Sequence, residues 1–293
     1  MFFYILYRIG FFLSNALPLK VVYWLAERFA DIHYCISKKD REAVTENLST
    51  VLKKDIAGSR VLARKVFRNF GLYLVDFFRI PKLNKENIDR NVKIEGLENI
   101  DKALKENKGA IILSCHIGNW EIAGVAVGIK GYDISAVTLN HRHDRINDFF
   151  IKQREENGMK VIGMSSVMRG CIRTLLRNGM LALVGDRDFT DSGVTLEFFG
   201  VPTSIPKGPA ALSLKTGSPI IPGFCIRHDR FSYKLIFEKP IEIKKIPGMT
   251  EEEMIKRATE SFVPVMEKYI KAYPEQWLVF RRFWEAPTDA FVL

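Results

Sequence analysis

The chain has 293 residues, with 44 Lys plus Arg against 34 Asp plus Glu, a formal charge of +10. A hydrophobic content of 47% and a charged content of 27% exclude a mostly disordered chain, and 12 Pro with 20 Gly exclude a fibrous or low-complexity one. Cys35, Cys115, Cys171 and Cys225 lie far apart with no CxxC pair, which excludes the common zinc ribbons and a disulfide framework and fits reduced thiols in a core.

Residues 1–26 carry only Arg8 and Lys20 as charges. The apolar run Ile9–Leu19 is broken by Ser14, Asn15 and Pro18, short of the ~20 residues that a spanning helix needs. No signal-peptide cleavage site stands out. Abundant Phe, Tyr and Trp favour helices lying in the membrane interface. The competing expectation is an apolar arm packed on its own domain. We therefore divide the chain into a hydrophobic membrane-associating arm, 1–36, and a domain over 37–293.

Three- and four-residue apolar spacing predicts helices over 40–53 and 59–80, with Asp40 and Ser59 as N-caps and Pro81 as the stop. A short strand, VKIEG, and a helix over 98–107 complete a helical lead-in, 37–108. From residue 109 short apolar strands alternate with helices. Strands are predicted at 109–115, 134–139, 159–163 and 180–185, and helices from Asn119, over 146–157 and over 165–178. A long loop follows 185, and a small-residue helix opens at Pro206–Ala211. A hairpin is predicted from 219–226 and 231–238, and a last helix over 251–272. The fold class is thus α/β, a mostly parallel central sheet flanked by helices, with 109–293 as the catalytic core.

The segment Ser114-Cys115-His116-Ile117-Gly118-Asn119-Trp120-Glu121 places a histidine just past a buried strand. Gly118 permits a tight turn and Asn119 is a candidate helix cap. Glu121 then falls in the first helical turn, where an anion is favoured. From there it is expected to hold the imidazole in one tautomer and stabilise its protonated form. The site lies at the carboxyl end of a strand, where open α/β sheets bind ligands. GxSxG, HExxH, a P-loop and GxGxxG are all absent, so the His is read as a base acting on a substrate hydroxyl. Spacing alone leaves open a histidine satisfied by local hydrogen bonds.

His116 to Glu121 resembles the HX4(D/E) motif of glycerolipid acyltransferases, and SCHIGNWEIAG resembles the late acyltransferases of lipid A biosynthesis (lauroyl/myristoyl class) and the related phosphatidylinositol mannoside acyltransferases. Further blocks fit the same families: Leu17-Pro18-Leu19 with Glu46-Asn47-Leu48, Gly185-Asp186-Arg187-Asp188-Phe189, Glu197–Pro202 with Lys207–Ala211, and Pro274–Trp277 with Arg281–Trp284. The resemblance implies a glycerolipid-acyltransferase-like fold and transfer of a fatty acyl chain from acyl carrier protein or acyl-CoA to a hydroxyl of a membrane glycolipid. A lipid A precursor is the first acceptor, and a phosphatidylinositol mannoside, another glycolipid or a lysophospholipid the alternative. It implies catalytic His116 and Glu121, with Asn119, Asp186 and Asp188 lining the site and Phe198 and Phe199 walling the acyl chain. Arg187 and Arg142 are implied as oxyanion or phosphate contacts. Arg142 is the nearest counterpart of a family Arg that follows the next strand, and Arg145 competes for that place. It implies no tightly bound cofactor and no metal, and a place on the cytoplasmic face of the inner membrane, peripheral or N-terminally anchored.

The positive charge suits an anionic membrane surface and an acidic carrier protein. Arg169, Arg173 and Arg177, four residues apart, form a basic stripe that is either a solvated face or a docking face for that carrier. Two other classes compete. A basic peripheral membrane or nucleic-acid-binding protein would use Lys53-Lys54 and Lys244-Lys245, but no nucleic-acid module is present. A hydrolase would use His116 on water.

Overall fold

The computed structural model describes residues 2–139, 143–164, 167–189 and 192–285, with side chains from Tyr4 onward. The helices are α1 (Phe2–Ala16), α2 (Leu19–Ile36), α3 (Lys38–Leu52), α4 (Ile56–Phe78), α5 (Lys85–Asn91), α6 (Leu97–Lys105), α7 (Trp120–Ile129), α8 (Asp144–Glu155), α9 (Val167–Leu176), α10 (Gly208–Thr216) and α11 (Glu251–Ala272). The strands are β1 (Val92–Glu95), β2 (Ala110–Ser114), β3 (Ile134–Val137), β4 (Met159–Ile162), β5 (Met180–Val184), β6 (Val194–Phe198), β7 (Val201–Ile205), β8 (Ile220–Arg227) and β9 (Tyr233–Phe237).

Seven strands form one sheet in the order β1-β9-β8-β2-β5-β3-β4, with β8 and β9 as its antiparallel pair and every other neighbour parallel. The expected α/β class, the mostly parallel sheet and the β8–β9 hairpin all hold. Side chains alternate across the pleat. Ile111 and Leu113 of β2 therefore join one core layer with α9, α10 and α11, while Ala110 and Ile112 join the other with α6, α7, α8 and the end of α4. Buried on both faces, β2 reads as a continuous apolar run, as a central parallel strand does.

Some elements depart from expectation: Ser37 and Asp55, not Asp40 and Ser59, stand at the N-caps of α3 and α4, and α5 has no counterpart among the expected elements. The stretch after β5, expected as a long loop, contains the separate hairpin β6–β7, closed by Phe199 and Gly200 with φ of 56° and 81°. Tight two-residue hairpin loops need positive φ and usually advertise it with Asn, Asp or Gly at the first position. Here Phe199 fills that place, and the Glu267 carboxylate accepts its backbone N–H.

The arm is folded onto the body. Pro18 separates α1 from α2, and neither helix is long and apolar enough to cross a membrane. On the inner face Tyr7 packs edge-on against Phe78 and Phe150, and Asn15 donates to the Phe78 carbonyl. Asp31 on α2 accepts from Arg64 and Arg68 on α4, each Nε at 2.8 Å. Arg227 on β8, buried with Asp76, Tyr23 and Tyr233, ties α2, α4 and the sheet together. The outer face is apolar and exposed, with Phe12 at 67%, Trp24 at 55% and Phe29 at 64%.

Candidate active site

Strand order places the site. Adjacent parallel strands β2 and β5 end in register at Ser114 and Val184, and Gly185 N–H donates to the Ser114 carbonyl at 2.8 Å. Two residues further on each chain lie His116 and Asp186. His116 Nδ1 stands 2.7 Å from Asp186 Oδ1, and Asp186 Oδ2 accepts the His116 backbone N–H at 3.1 Å. Trp277 Nε1 donates to the same Oδ2 at 3.0 Å. A carboxylate facing Nδ1 fixes the proton there and leaves the Nε2 lone pair for a substrate. The His116 side chain is 19% exposed, while that of Asp186 is fully buried.

The C-terminal segment forms the cradle. Gly118 donates to the Gln276 carbonyl at 2.9 Å, and Leu278 donates to the His116 carbonyl at 2.7 Å. Asn119 N–H reaches the Cys225 carbonyl at 2.8 Å. Gly118 has φ +63°, and a Cβ there would stand 2.0 Å from the Cys225 oxygen, so this turn has room for glycine alone. Trp120 meets the imidazole edge-on at 5.2 Å and in turn packs on Tyr73 of α4 at 4.7 Å.

The carboxylate bonded to His116 is therefore Asp186, and the expected contact of Glu121 with His116 is not made. Successive helical residues point about 100° apart. Trp120 takes the direction toward His116, which turns Glu121 toward α8. There Arg154 grips it with Nε at 2.9 Å and Nη2 at 2.6 Å. Glu121 is 3% exposed, and the Arg154 guanidinium stacks over Phe77 and Phe150. Burial disfavours the Arg154 charge, but Glu121 outweighs it and raises the pKa. Sequence reading missed Arg154 because its Glu partner is 33 residues away.

Burial also works against ionised Asp186. The charge of His116 and the bonds from His116 and Trp277 prevail, and the carboxyl sits below its usual range. Cys115 is fully buried, and burial pushes its thiol up, which removes it as a nucleophile.

The other expected residues have definite places. Asn119 caps α7, accepting from Ile122 N–H at 3.0 Å, but at 1% exposure it is a buried cap bonded to Tyr233 and not a site-lining group. Asp188 accepts from Gly193 N–H and Ser204 Oγ and shapes the entry to β6. Phe198 is fully buried between Phe199 and Phe283, a core position and not a wall that a chain reaches directly; Phe199 is half-buried near Trp277 and Trp284. Arg142 lies outside the described residues, and Arg145 lies in the first turn of α8. Among the described residues no group of three or more His, Cys, Asp or Glu is placed to hold a metal.

Arg187 lies over the Phe189 ring at 4.7 Å. Its pKa is pushed down to about 10, first by burial and then by the charge of Arg281, against the pull of Asp186. Arg281 is depressed by burial too, with Asp186 again opposing. The Nε of each is buried with no hydrogen-bond partner among the described residues. Arg281 had no role in the sequence reading. Arg282 points outward to Glu46 and Glu285, and Arg281 points in.

A family model described as bacterial lipid A biosynthesis acyltransferase matches residues 1–286. The phosphatidylinositol mannoside acyltransferase of Mycobacterium tuberculosis is 33% identical over 163 residues, 54% of this chain and 52% of the relative, so the chain spans about half the length of that relative. The protein of the same description from Mycolicibacterium smegmatis is 27% identical over 201 residues, 67% of this chain and 66% of the relative. The lipid A biosynthesis palmitoleoyltransferase of Escherichia coli is 23% identical over 275 residues, covering 92% of this chain and 87% of the relative.

Proposed function

The chain belongs to the bacterial lipid A biosynthesis acyltransferase family, and from that premise we propose that it moves a fatty acyl chain from a thioester donor to a hydroxyl of a membrane glycolipid, with His116 as general base. The observation that carries this reading is the His116–Asp186 pair at the carboxyl edge of the sheet, with the imidazole partly exposed. The acceptor hydroxyl donates its hydrogen bond to Nε2 and loses that proton as its oxygen attacks the thioester carbonyl. The C–S bond then breaks, and the imidazolium returns the proton to the departing sulfur. Asp186 stabilises the imidazolium between the two steps. A positioned acid–base group of this kind contributes roughly 10²–10⁴-fold.

The donor is acyl carrier protein or coenzyme A bearing the acyl chain. The acceptor is a lipid A precursor, a choice supported by the match over residues 1–286 and by the Escherichia coli relative. A second acceptor, a phosphatidylinositol mannoside, is favoured by the 33% identity with the Mycobacterium tuberculosis protein. The exposed apolar faces of α1 and α2 support seating in one leaflet, where the protein acts as a peripheral enzyme on the cytoplasmic face. Mass spectrometry of total lipids after deletion of the gene tests this reading. A glycolipid lacking one acyl chain is the expected result and identifies the acceptor. An unchanged lipid profile, or release of free fatty acid by the purified protein without transfer, overturns it.

A further inference from the structure

The turn that carries His116 into α7 is anchored from outside. Asn119 N–H donates to the Cys225 carbonyl, Gly118 N–H to the Gln276 carbonyl, and Leu278 N–H to the His116 carbonyl. All three bonds lead to β8 or to the C-terminal segment, and one residue ties those two together. Gln276 Oε1 accepts the Arg227 N–H and Gln276 Nε2 donates to the Arg227 carbonyl, both at 2.9 Å. The Arg227 side chain enters a largely buried polar cluster drawn from four elements: Tyr23 of α2, Asp76 of α4, Arg227 itself on β8 and Tyr233 of β9. Tyr23 and Tyr233 donate to the two Asp76 oxygens, and Arg227 donates to Asp76 and to both hydroxyls. Asn119 Nδ2 donates to the Tyr233 hydroxyl at 3.2 Å, a direct link from the cluster to the turn.

The chemistry of these groups gives the link a direction. A carboxylate only accepts and a guanidinium only donates. The Tyr233 proton therefore goes to Asp76, and its lone pairs take Arg227 and Asn119, which fills the hydroxyl's capacity. That polarity orients Asn119 as well: its Nδ2 faces Tyr233, so its Oδ1 meets Ile122 N–H and caps α7. We propose that Tyr233, Asp76 and Arg227 are positioning residues for His116, holding the Gly118–Asn119 turn and through it the imidazole against Asp186, and that Tyr23 makes the docked arm part of that support. They act through the turn and not on the substrate. Net stability is a weak reason for such a cluster, because apolar residues of the same shape often serve a buried site as well as an ion pair does. Direction is the stronger reason, since a reacting group displaced by about 1 Å can lose on the order of 10²-fold in rate. The effect on turnover rests on the acyl-transfer reading; the placement of the imidazole does not.

Tyr233→Phe and Tyr23→Phe, each removing one oxygen from the purified full chain, carry the test. Tyr269→Phe is the control, because it also takes a hydroxyl bond from a carboxylate, that of Glu238 at 2.8 Å. Tyr233→Phe is expected to lower kcat by about tenfold or more while the KM for donor and acceptor stays within about twofold. Tyr23→Phe, one bond further from the turn, is expected to lower kcat less, and Tyr269→Phe not at all. The second readout is the pair of imidazole nitrogen resonances of His116 in ¹⁵N-labelled protein, assigned by their loss in His116→Ala. They are expected to move in Tyr233→Phe and to stay in place in Tyr269→Phe. A merely structural tyrosine would lower the Tm and leave kcat per folded molecule and these resonances unchanged. Asn119→Ser keeps a capping oxygen and leaves no amide to hold. The double variant Tyr233→Phe with Asn119→Ser is therefore expected to turn over no slower than the slower single variant. Unchanged kcat or unmoved His116 resonances in folded Tyr233→Phe, or losses that multiply in the double variant, overturn the proposal. A wild-type chain that transfers no acyl group, but whose His116 resonances move in Tyr233→Phe and not in Tyr269→Phe, retains the positioning and overturns the acyl-transfer reading instead.

Discussion

His116 and Asp186 stand two residues beyond the register pair Ser114 and Val184, and their side chains meet at 2.7 Å. The dyad is thus set by strand pairing rather than by a loop. Asp186→Asn keeps the shape but removes the charge that fixes the Nδ1 proton. Loss of the right tautomer is expected to lower kcat on the order of 10²–10⁴-fold. His116→Ala is expected to abolish transfer. Both variants should retain the wild-type circular dichroism spectrum. Near-normal turnover by either would remove the dyad from the mechanism.

Glu121 is expected to report on stability. Breaking a buried ion pair from one side costs about 3–5 kcal/mol, because the other charge is left stranded. Glu121→Gln should therefore lower the Tm sharply. The double variant Glu121→Gln with Arg154→Met should recover part of the loss, since it strands no charge. Turnover per folded molecule should fall far less than in Asp186→Asn. A folded Glu121→Gln enzyme with full stability and no activity would return Glu121 to the chemistry.

These two carboxylates mark where sequence reading succeeds and where it stops. The strands and helices were legible because apolar spacing is local, and so was the place of His116 at a strand end, whereas the caps of α3 and α4 fall at Ser37 and Asp55 rather than at Asp40 and Ser59. The partner was not. Glu121 is five residues from His116 in the chain and Asp186 is 70, yet Asp186 makes the bond. Only the strand order, with β5 and not β3 beside β2, brings them together. No periodicity encodes that order. The β6–β7 hairpin was missed because Phe199 occupies a left-handed turn position that Asn or Gly usually fills.

The link between α2 and α4 should carry an acid-dependent part of the stability. Asp31 is held well below the usual carboxylate range, first by hydrogen bonds from Arg68 and then by those from Arg64. A depressed folded pKa stabilises the protein fully above the unfolded value of about 3.9, and that contribution fades as pH falls through the folded pKa. Asp31→Asn is expected to lower the Tm at neutral pH, with the gap to wild type closing in acid below that unfolded value. A gap independent of pH would show that packing, not charge, is lost.

The basic face of α9 separates into two parts. Arg177 pairs with Asp133 at 3.0 Å, near the edge of the sheet where β5 starts, opposite the His116 edge. Arg169 and Arg173 are exposed and line a shallow groove with Ile172, Leu176 and the paired Arg177. Opposite charges steer association, and the effect falls with salt. If the carrier protein docks here, Arg169→Glu with Arg173→Glu is expected to raise KM for acyl carrier protein several-fold and leave kcat and the acyl-CoA KM unchanged. Arg177→Glu should have little effect on KM. Equal kinetics for all three proteins would make the stripe a solvated face.

The arm gives the last expectation. Its inner face is occupied by α4 and α8, through contacts such as Tyr7 with Phe150 and Asp31 with Arg68. Its outer face leaves Phe12, Trp24, Phe29 and Ile36 exposed, which is costly in water and favourable in a bilayer interface. Burying one such aromatic is worth roughly 1.5–3 kcal/mol, enough for a tenfold change in partitioning. Phe29→Glu is expected to weaken binding to anionic vesicles by about tenfold or more, since it loses apolar area and adds a charge of the wrong sign. Trp24 is more than half exposed, so its emission should shift to shorter wavelength when vesicles are added. The helices are already packed, so circular dichroism should change little on binding. An unshifted Trp24 spectrum at saturating lipid would mean that another surface meets the membrane.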